Sequence, residues 1–146
     1  MKEFENLHSE ARERLMKCGI RPSAQRVAIM QYLLTHFTHP TIDEIYNSLC
    51  PIIPTLSRTT VYNTLRMFSE VGAAQMVTIY DHHVCYDGRI EPHGHFFCRN
   101  CGKVADIMEV PNLPTSHPQR IQEGCYIDEI QVYYKGLCPT CFGNGN

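Results

Sequence analysis

Apolar and polar positions repeat with a helical period through the first half of the chain. A helix is expected over 6–17, because the pattern stops before Gly19, a residue that commonly ends helices. Ser23 can cap a second helix. The apolar positions of that second helix are Val27, Met30, Leu33, Leu34 and Phe37.

Two further helices follow with recognisable starts and stops. Thr41 and Glu44 have the spacing of a capping box, and the helix that they begin should end before Pro51. Ser57 can cap a fourth helix that runs to about residue 71 and ends at Gly72. The inward positions of this helix are Val61, Leu65 and Phe68.

Short strands dominate the rest of the pattern. Two strands, 76–80 and 84–86, joined by the polar turn 81–83, would form a hairpin, so the last three helices plus the hairpin predict a winged helix-turn-helix. The later segments are expected to be strands at 93–98, 104–108 and 127–134 and a helix at 116–123. The predicted fold class is therefore α+β, with a winged-helix domain over 1–84, a hinge over 85–92 and a small α/β domain over 93–146.

Composition and charge narrow the function classes. The 146 residues are 43% hydrophobic, which is enough for a packed core, and 13 basic against 15 acidic residues exclude binding by bulk positive charge. Any nucleic-acid role therefore requires a local basic surface. No apolar run reaches the roughly 18 residues that span a bilayer, and the first residues lack a signal-peptide pattern, so a cytoplasmic protein without a membrane partner is expected.

The outward positions of the fourth helix are candidates for DNA contacts. They carry two cations, a hydroxyl, an amide and an aromatic ring: Arg58, Thr59, Tyr62, Asn63 and Arg66. Such side chains contact phosphates and base edges. A merely solvated helix face could look the same, but the position of this helix within the helix order favours DNA binding.

Two matched cysteine pairs predict a metal site. Cys98 and Cys101, like Cys138 and Cys141, are spaced so that one tight turn can direct both sulfurs at the same ion. Four thiolates form a closed shell that suits structural Zn(II), whereas a redox-active disulfide and an iron–sulfur cluster are the alternatives. The isolated cysteines are expected to be small core residues: Cys18, Cys50, Cys85 and Cys125.

Histidines and aspartates offer a second set of ligands. His93 and His95 alternate along a predicted strand and can chelate one ion, although surface histidines beside a turn would show the same spacing. Asp87, Asp106 and His39 could add donors, but no spacing rule joins the five.

Enzyme activity is not expected. A zinc deaminase motif would require a Glu after the first histidine and a Pro before Cys138, and the chain has neither. A thiol oxidoreductase would require one cysteine pair free of zinc. A zinc-stabilised DNA binder without a sensing role is a further alternative.

Five stretches together resemble the ferric-uptake-regulator family of bacterial metal-dependent repressors. In chain order they are 21–26, 39–41, 57–65, 93–103 and 138–141. The resemblance covers nearly the whole chain. It implies an N-terminal winged-helix DNA-binding domain, a C-terminal α/β dimerisation domain, a structural zinc held by the four paired cysteines, and a regulatory metal site between the domains.

Within that family, the resemblance is to the peroxide-sensing members. Their regulatory metal is bound by three histidines and two aspartates, which correspond here to His39, Asp87, His93, His95 and Asp106. Asp106 is diagnostic because iron-uptake and zinc-uptake members usually carry Glu there. Residues 125–130 also lack the histidine of a further metal site that is common in iron-type members. An iron-responsive repressor of uptake genes is the alternative.

The resemblance also implies a mechanism. A homodimer would bind double-stranded operator DNA when Fe(II) or Mn(II) occupies the regulatory site, since mixed nitrogen and oxygen donors suit these ions. With Fe(II), the oxidant formed from hydrogen peroxide would attack His39 or His93. Loss of that ligand would release the DNA.

Overall fold

The chain forms two units, Met1–Ile90 and Glu91–Asn146. A computed structural model describes residues 1–80, 83–111, 119–120, 124–127 and 129–143, with backbone alone for 79, 80, 83, 119 and 120. The first unit is mainly helical, whereas the described part of the second unit contains short strands and one short helix. The expected mixed helix and strand class is confirmed.

Four helices form the first unit: α1 (Lys2–Lys17), α2 (Ala24–Thr35), α3 (Ile42–Leu49) and α4 (Arg58–Glu70). α1 begins at residue 2 rather than 6. Ser23 caps α2 by accepting a hydrogen bond from the Arg26 amide, Ser57 caps α4 in the same way, and Thr41 and Glu44 complete a capping box on α3. Within the described part of the chain, no helix combines the length and apolar character needed to cross a membrane.

The core of the first unit lies where the apolar periodicity of the helices meets. Leu15, Met30, Leu65 and Phe68 are fully buried within this core. The assignment of Phe37 to the apolar face of α2 was wrong, because the helix ends before it and the side chain is 44% exposed.

The predicted hairpin follows α4. Strands β1 (Gln75–Tyr80) and β2 (His83–Asp87) pair antiparallel, so α2 to α4 and the hairpin have the winged helix-turn-helix order. Residue 83 belongs to β2 rather than to the predicted turn, and residues 81 and 82 of that turn lie outside the described residues. The Tyr86 amide donates a hydrogen bond to the Pro40 carbonyl over 3.0 Å, which joins the end of β2 to the loop before α3.

The second unit is organised around a three-stranded sheet. Its elements are β3 (Gly94–Cys98), β4 (Val104–Ile107), β5 (Gln119–Arg120), β6 (Tyr126–Ile127), β7 (Val132–Gly136) and the short helix α5 (Pro139–Gly143). β3 lies in the centre, antiparallel to β4 and parallel to β7, while β5 and β6 form a separate pair. The parallel pairing of β3 with β7 brings the segment after Cys98 beside the segment before Cys138.

Two predictions for the second unit require correction. The single strand expected over 127–134 is two strands, β6 and β7, with residues between them outside both. Most of the helix expected over 116–123 lies outside the described residues, and at Gln119 and Arg120 the prediction was wrong because these residues pair with β6.

Candidate metal centres and nucleic-acid interface

All four paired cysteines lie together in the second unit. The sulfur atoms of Cys98, Cys101, Cys138 and Cys141 are all within 4.8 Å of one another. Gly102 has a φ of +76°, which L-residues rarely adopt, and its amide donates to the Cys98 carbonyl over 2.9 Å to close the first turn. The parallel strands place the second turn at the same end of the sheet.

Hydrogen bonds within the cluster shift the pKa values of Cys98, Cys138 and Cys141 in different directions. Hydrogen bonds from the backbone amides of Cys101 and Cys138 lower the pKa of Cys98 to about 6, and the Cys141 amide lowers the pKa of Cys138. The Asn100 amide hydrogen bond acts to lower the pKa of Cys141, but the Cys138 thiol, burial and the remaining thiols raise it to about 11. Four sulfurs this close cannot all ionise without a cation. Four sulfur donors in this arrangement fit Zn(II).

A second donor group lies on β3 and β4. His95 is directly opposite Asp106 in the antiparallel register, and His93 immediately precedes β3. The Asp106 carboxylate oxygen lies 3.2 Å from Nε2 of His93 and 3.5 Å from Nε2 of His95, and the two Nε2 atoms are 3.1 Å apart. Both histidines are buried, which excludes the alternative of exposed histidines beside a turn.

The tautomer of His93 follows from its neighbour. Its Nδ1 lies 2.7 Å from the Glu91 carbonyl oxygen, which can only accept a hydrogen bond, so Nδ1 carries the proton when the ring is neutral. The Nε2 lone pair then faces His95 and Asp106. A backbone carbonyl that fixes the tautomer in this way is typical of histidines that bind metals.

His39 and Asp87 form a buried pair in the first unit. Nε2 of His39 lies 3.4 Å from Oδ2 of Asp87, and both side chains are almost completely buried. His39 has a φ of +58°, which makes it the one non-glycine residue in the left-handed region among the described residues. Such a conformation costs free energy and is typical of functional sites.

The donor chemistry of both groups suits a regulatory ion. The C-terminal group offers two imidazole nitrogens and a carboxylate, and the N-terminal pair offers one of each. Mixed imidazole and carboxylate ligands suit Fe(II), Mn(II) and Zn(II). The residues present therefore fit the ions that the sequence predicts.

The predicted DNA-contacting residues share the solvent face of α4. Arg58, Thr59, Tyr62, Asn63 and Arg66 are all exposed. A cavity of about 650 Å³ adjoins this face and is lined by, among others, Arg21, Gln25, Arg26, Thr60 and Asn63. Arg21, just before α2, and Arg26, in its first turn, therefore lie beside the polar positions of α4.

Both arginines of this α4 face already have acidic partners. Nε of Arg58 donates to Asp43 over 2.9 Å with its guanidinium over the Tyr46 ring, and the hydrogen bond with Asp43 raises the pKa of Arg58. Arg66 pairs with Glu70 over 3.0 Å. Because exposed ion pairs contribute little to stability, both arginines can exchange these partners at little cost.

Comparison with known proteins decides the family. The sequence profile described as the Ferric uptake regulator family matches residues 17–135. This chain belongs to that family. Among its relatives, the peroxide-responsive repressor PerR of Staphylococcus epidermidis is 36% identical over 99% of this chain and 98% of its own length. The PerR of Staphylococcus aureus strain Mu50 is 40% identical over 95% of this chain and 96% of its own length.

Solved structures of ferric uptake regulator family members agree with the fold. One of them is PerR from Streptococcus pyogenes, a protein of peroxide sensing and gene regulation. Its structure matches with a TM-score of 0.50 at 30% identity, and the match covers 92% of each chain. The ferric uptake regulator Fur of Helicobacter pylori has a TM-score of 0.68 at 20% identity, covering 94% of this chain and 93% of its own. At that identity the likeness shows the fold alone.

The isolated cysteines of this family member do not share one environment. Cys85 is buried, Cys18 and Cys50 are half-buried, and Cys125 is exposed, so the prediction of a core position was wrong for Cys125. Burial, and to a smaller extent the charge of Glu44, raises the pKa of Cys85. A raised pKa keeps the thiol protonated and weakly nucleophilic at neutral pH.

Sequence reasoning missed the residues that support the ligands. Asn100 donates its side-chain N–H to the Cys141 sulfur over 3.3 Å, and the Glu91 carbonyl orients His93. Asn100 lies between two cysteines of one motif, which could have drawn attention to it. The role of Glu91 depends on its backbone oxygen and leaves no signature in the residue type.

Proposed function

We propose that this protein is a metal-dependent transcriptional repressor that senses hydrogen peroxide and releases operator DNA when a ligand histidine is oxidised. The observation that carries the proposal is the convergence of His93, His95 and Asp106 on β3 and β4, with an aspartate at residue 106. Relatives named peroxide-responsive repressors, matched over nearly the full chain, support it.

The paired cysteines would hold a structural Zn(II). Among the described residues of the second unit, the buried hydrophobic side chains are Phe97, Cys98 and Cys138, which is a small core. A closed four-sulfur site would supply stability that so few apolar side chains cannot.

The second unit would also form the homodimer. Several of its apolar side chains are at least 40% exposed: Met108, Tyr126, Tyr134, Leu137 and Phe142. Exposed apolar residues on a small unit are typical of a subunit interface. A dimer would present two copies of α4 to the two half-sites of an operator.

The polar face of α4 would contact operator DNA. Arg58 and Arg66 would meet phosphates or base edges after exchanging their acidic partners, and Tyr62 and Asn63 are exposed for base contacts. With a net charge of −2, binding depends on this local surface. Operator affinity should therefore fall steeply with salt.

The regulatory ion would be bound by residues of both units. We propose that His39 and Asp87 join His93, His95 and Asp106 around one ion. Five residues separate Asp87 from His93, so the chain itself tethers the two donor groups to within roughly 20 Å. Binding of one ion by both units would select one relative orientation of the two units.

The site residues have distinct tasks in the proposed reaction. Fe(II) bound by these residues would supply one-electron chemistry toward hydrogen peroxide and would regain that electron from the oxidised ring. The net reaction would insert one peroxide oxygen into an imidazole C–H bond and release the other as water. His93 presents Nε2 because the Glu91 carbonyl holds its other nitrogen protonated. The carboxylates of buried Asp87 and half-buried Asp106 would balance part of the charge of the ion. Oxidation of His39 or His93 would remove one ligand of the regulatory ion, and the ion would then no longer fix the relative orientation of the two units.

Peptide mass spectrometry tests the proposal directly. Protein loaded anaerobically with Fe(II) receives a brief stoichiometric dose of hydrogen peroxide, and protein loaded with Mn(II) serves as the control. We expect a gain of one oxygen on the peptide containing His39 or His93 in the iron sample alone, together with loss of operator binding. Unmodified histidines in a protein that still requires Fe(II) for DNA binding would instead indicate an iron-responsive repressor.

A further inference from the structure

The peptide that carries Asp87 is held in place by several contacts within the first unit. The Tyr86 amide donates to the Pro40 carbonyl over 3.0 Å, beside His39. The Arg89 amide donates to Oδ1 of Asp87 over 2.9 Å, which leaves Oδ2 as the oxygen that faces His39. The orientation of this carboxylate therefore depends on the backbone on both sides of it.

Arg14 reaches this peptide from a distant part of the sequence. It lies in the last turn of α1, and its Nη1 donates a hydrogen bond to the carbonyl of Gly88, 74 residues away in the chain. Leu15, the next residue of α1, is completely buried in the core of the unit. Because Leu15 anchors the helix, the base of the Arg14 side chain is fixed, and Arg14 as a whole is half-buried.

The same peptide also packs closely on α2. A Cβ on Gly88 would lie 2.7 Å from the Leu33 carbonyl oxygen, closer than real contacts allow. Gly88 is thus the residue type that permits this approach. Gly88 therefore contacts both the α2 backbone and the Arg14 guanidinium.

We propose that Arg14 is a positioning residue for the regulatory metal: it fixes the Gly88 carbonyl and thereby aims the Asp87 carboxylate beside His39. This inference rests on the proposed role of Asp87 as a metal ligand. An arginine has a rigid planar donor group, so it defines the position of a carbonyl better than a solvated contact would. Groups that orient metal ligands typically change metal affinity by about 10- to 100-fold when removed.

The test is a Mn(II) titration of the full-length, zinc-loaded protein. Arg14→Met keeps most of the apolar stem but removes the donor, and Arg12→Met is the matched control because Arg12 is exposed on the same helix. We expect Arg14→Met to weaken Mn(II) binding by about tenfold or more while the control binds like wild type. Arg14→Lys should restore part of the affinity, since it retains a donor.

A spectroscopic measurement separates positioning from general destabilisation. Co(II) bound at the regulatory site reports its ligand geometry, so Arg14→Met should change the shape of the Co(II) absorption bands at saturation. Urea unfolding and zinc content measured on the same samples show whether the variant is folded. A variant that is merely less stable would show wild-type Co(II) bands once saturated.

Gly88→Ala provides a second perturbation if Arg14→Met does not fold. The added Cβ displaces the same peptide while Arg14 remains, so weakened Mn(II) binding and altered Co(II) bands are again expected. Wild-type affinity and unchanged bands in folded Arg14→Met, or in Gly88→Ala, overturn the inference. If wild-type protein binds no Mn(II) beyond its zinc, the proposed regulatory site itself is wrong and the inference fails with it.

Discussion

Replacement of Asn100 by alanine should weaken zinc binding at the four-cysteine site. The Asn100 side chain donates an N–H to the Cys141 sulfur over 3.3 Å. The Cys141 thiol resists ionisation, with a pKa raised to about 11 by the neighbouring thiols and burial. A metal-bound cysteine must be a thiolate, so a donor that stabilises its ionised form supports metal binding.

The structure also limits how large this effect can be. Removing a group that orients or hydrogen-bonds a metal ligand typically costs about 10- to 100-fold in affinity. Asn100 is exposed and donates a single hydrogen bond to the sulfur, so we expect zinc affinity to fall by about tenfold. Without the N–H donor the pKa of Cys141 rises further, so protons compete with zinc more effectively and zinc is lost at a higher pH than in wild type.

Competition with a chromogenic zinc chelator measures this loss from neutral to mildly acidic pH. Arg99→Ala is the matched control, because Arg99 is exposed in the same turn and its structural contact is a backbone hydrogen bond to Gly136. The control should release zinc like wild type. If Asn100→Ala retained zinc as tightly as the control at every pH, the role assigned to the N–H···S bond would be wrong.

Three further predictions concern other parts of the molecule. Burial raises the pKa of Cys85, so its thiol stays protonated as the pH rises through the ordinary pKa of a cysteine. Iodoacetamide should therefore alkylate Cys85 more slowly than exposed Cys125 in the native protein, and denaturant should remove the difference; equal rates in the native protein would contradict this. Asp106→Glu should preserve Mn(II)-dependent operator binding but slow the release of DNA by peroxide, and an unchanged release rate would count against Asp106 as the discriminating residue. Leu65→Ala should lower the free energy of unfolding of the first unit by about 2–5 kcal/mol, measured by urea denaturation, because Leu65 is fully buried. Metal analysis should show an unchanged zinc content, and a change in unfolding free energy below roughly 1 kcal/mol would refute close packing at Leu65.

The helical half was predictable because its signals are local. Ser23, Thr41 and Ser57 cap helices at the predicted positions, since each hydroxyl bonds an amide only three residues away. The apolar faces of α4 and, apart from Phe37, of α2 follow from the helical period. Phe37 was assigned wrongly because periodicity alone does not mark where α2 ends.

The second half was less predictable because short strands depend on their partners. The sequence predicts one strand over 127–134, because apolar residues recur there between polar ones, but the structure has two strands, β6 and β7. What separates them is pairing: β6 pairs with β5 and β7 pairs with β3. β3, the partner of β7, lies more than 30 residues earlier in the chain, so no local pattern specifies where β7 begins.

Metal-ligand candidates can be recognised in the sequence, whereas the residues that position those ligands cannot. A metal restricts its ligands to a few side-chain types, and a tight turn fixes the spacing of Cys98 and Cys101, so both restrictions are visible in the sequence. Arg14 needs only to reach a carbonyl oxygen, and every residue has one. The sequence therefore predicts which side chains can bind an ion, whereas the contacts that would aim them emerge only from the fold. If Arg14 has the role proposed here, the affinity of the regulatory site depends on α1 as well as on its ligands.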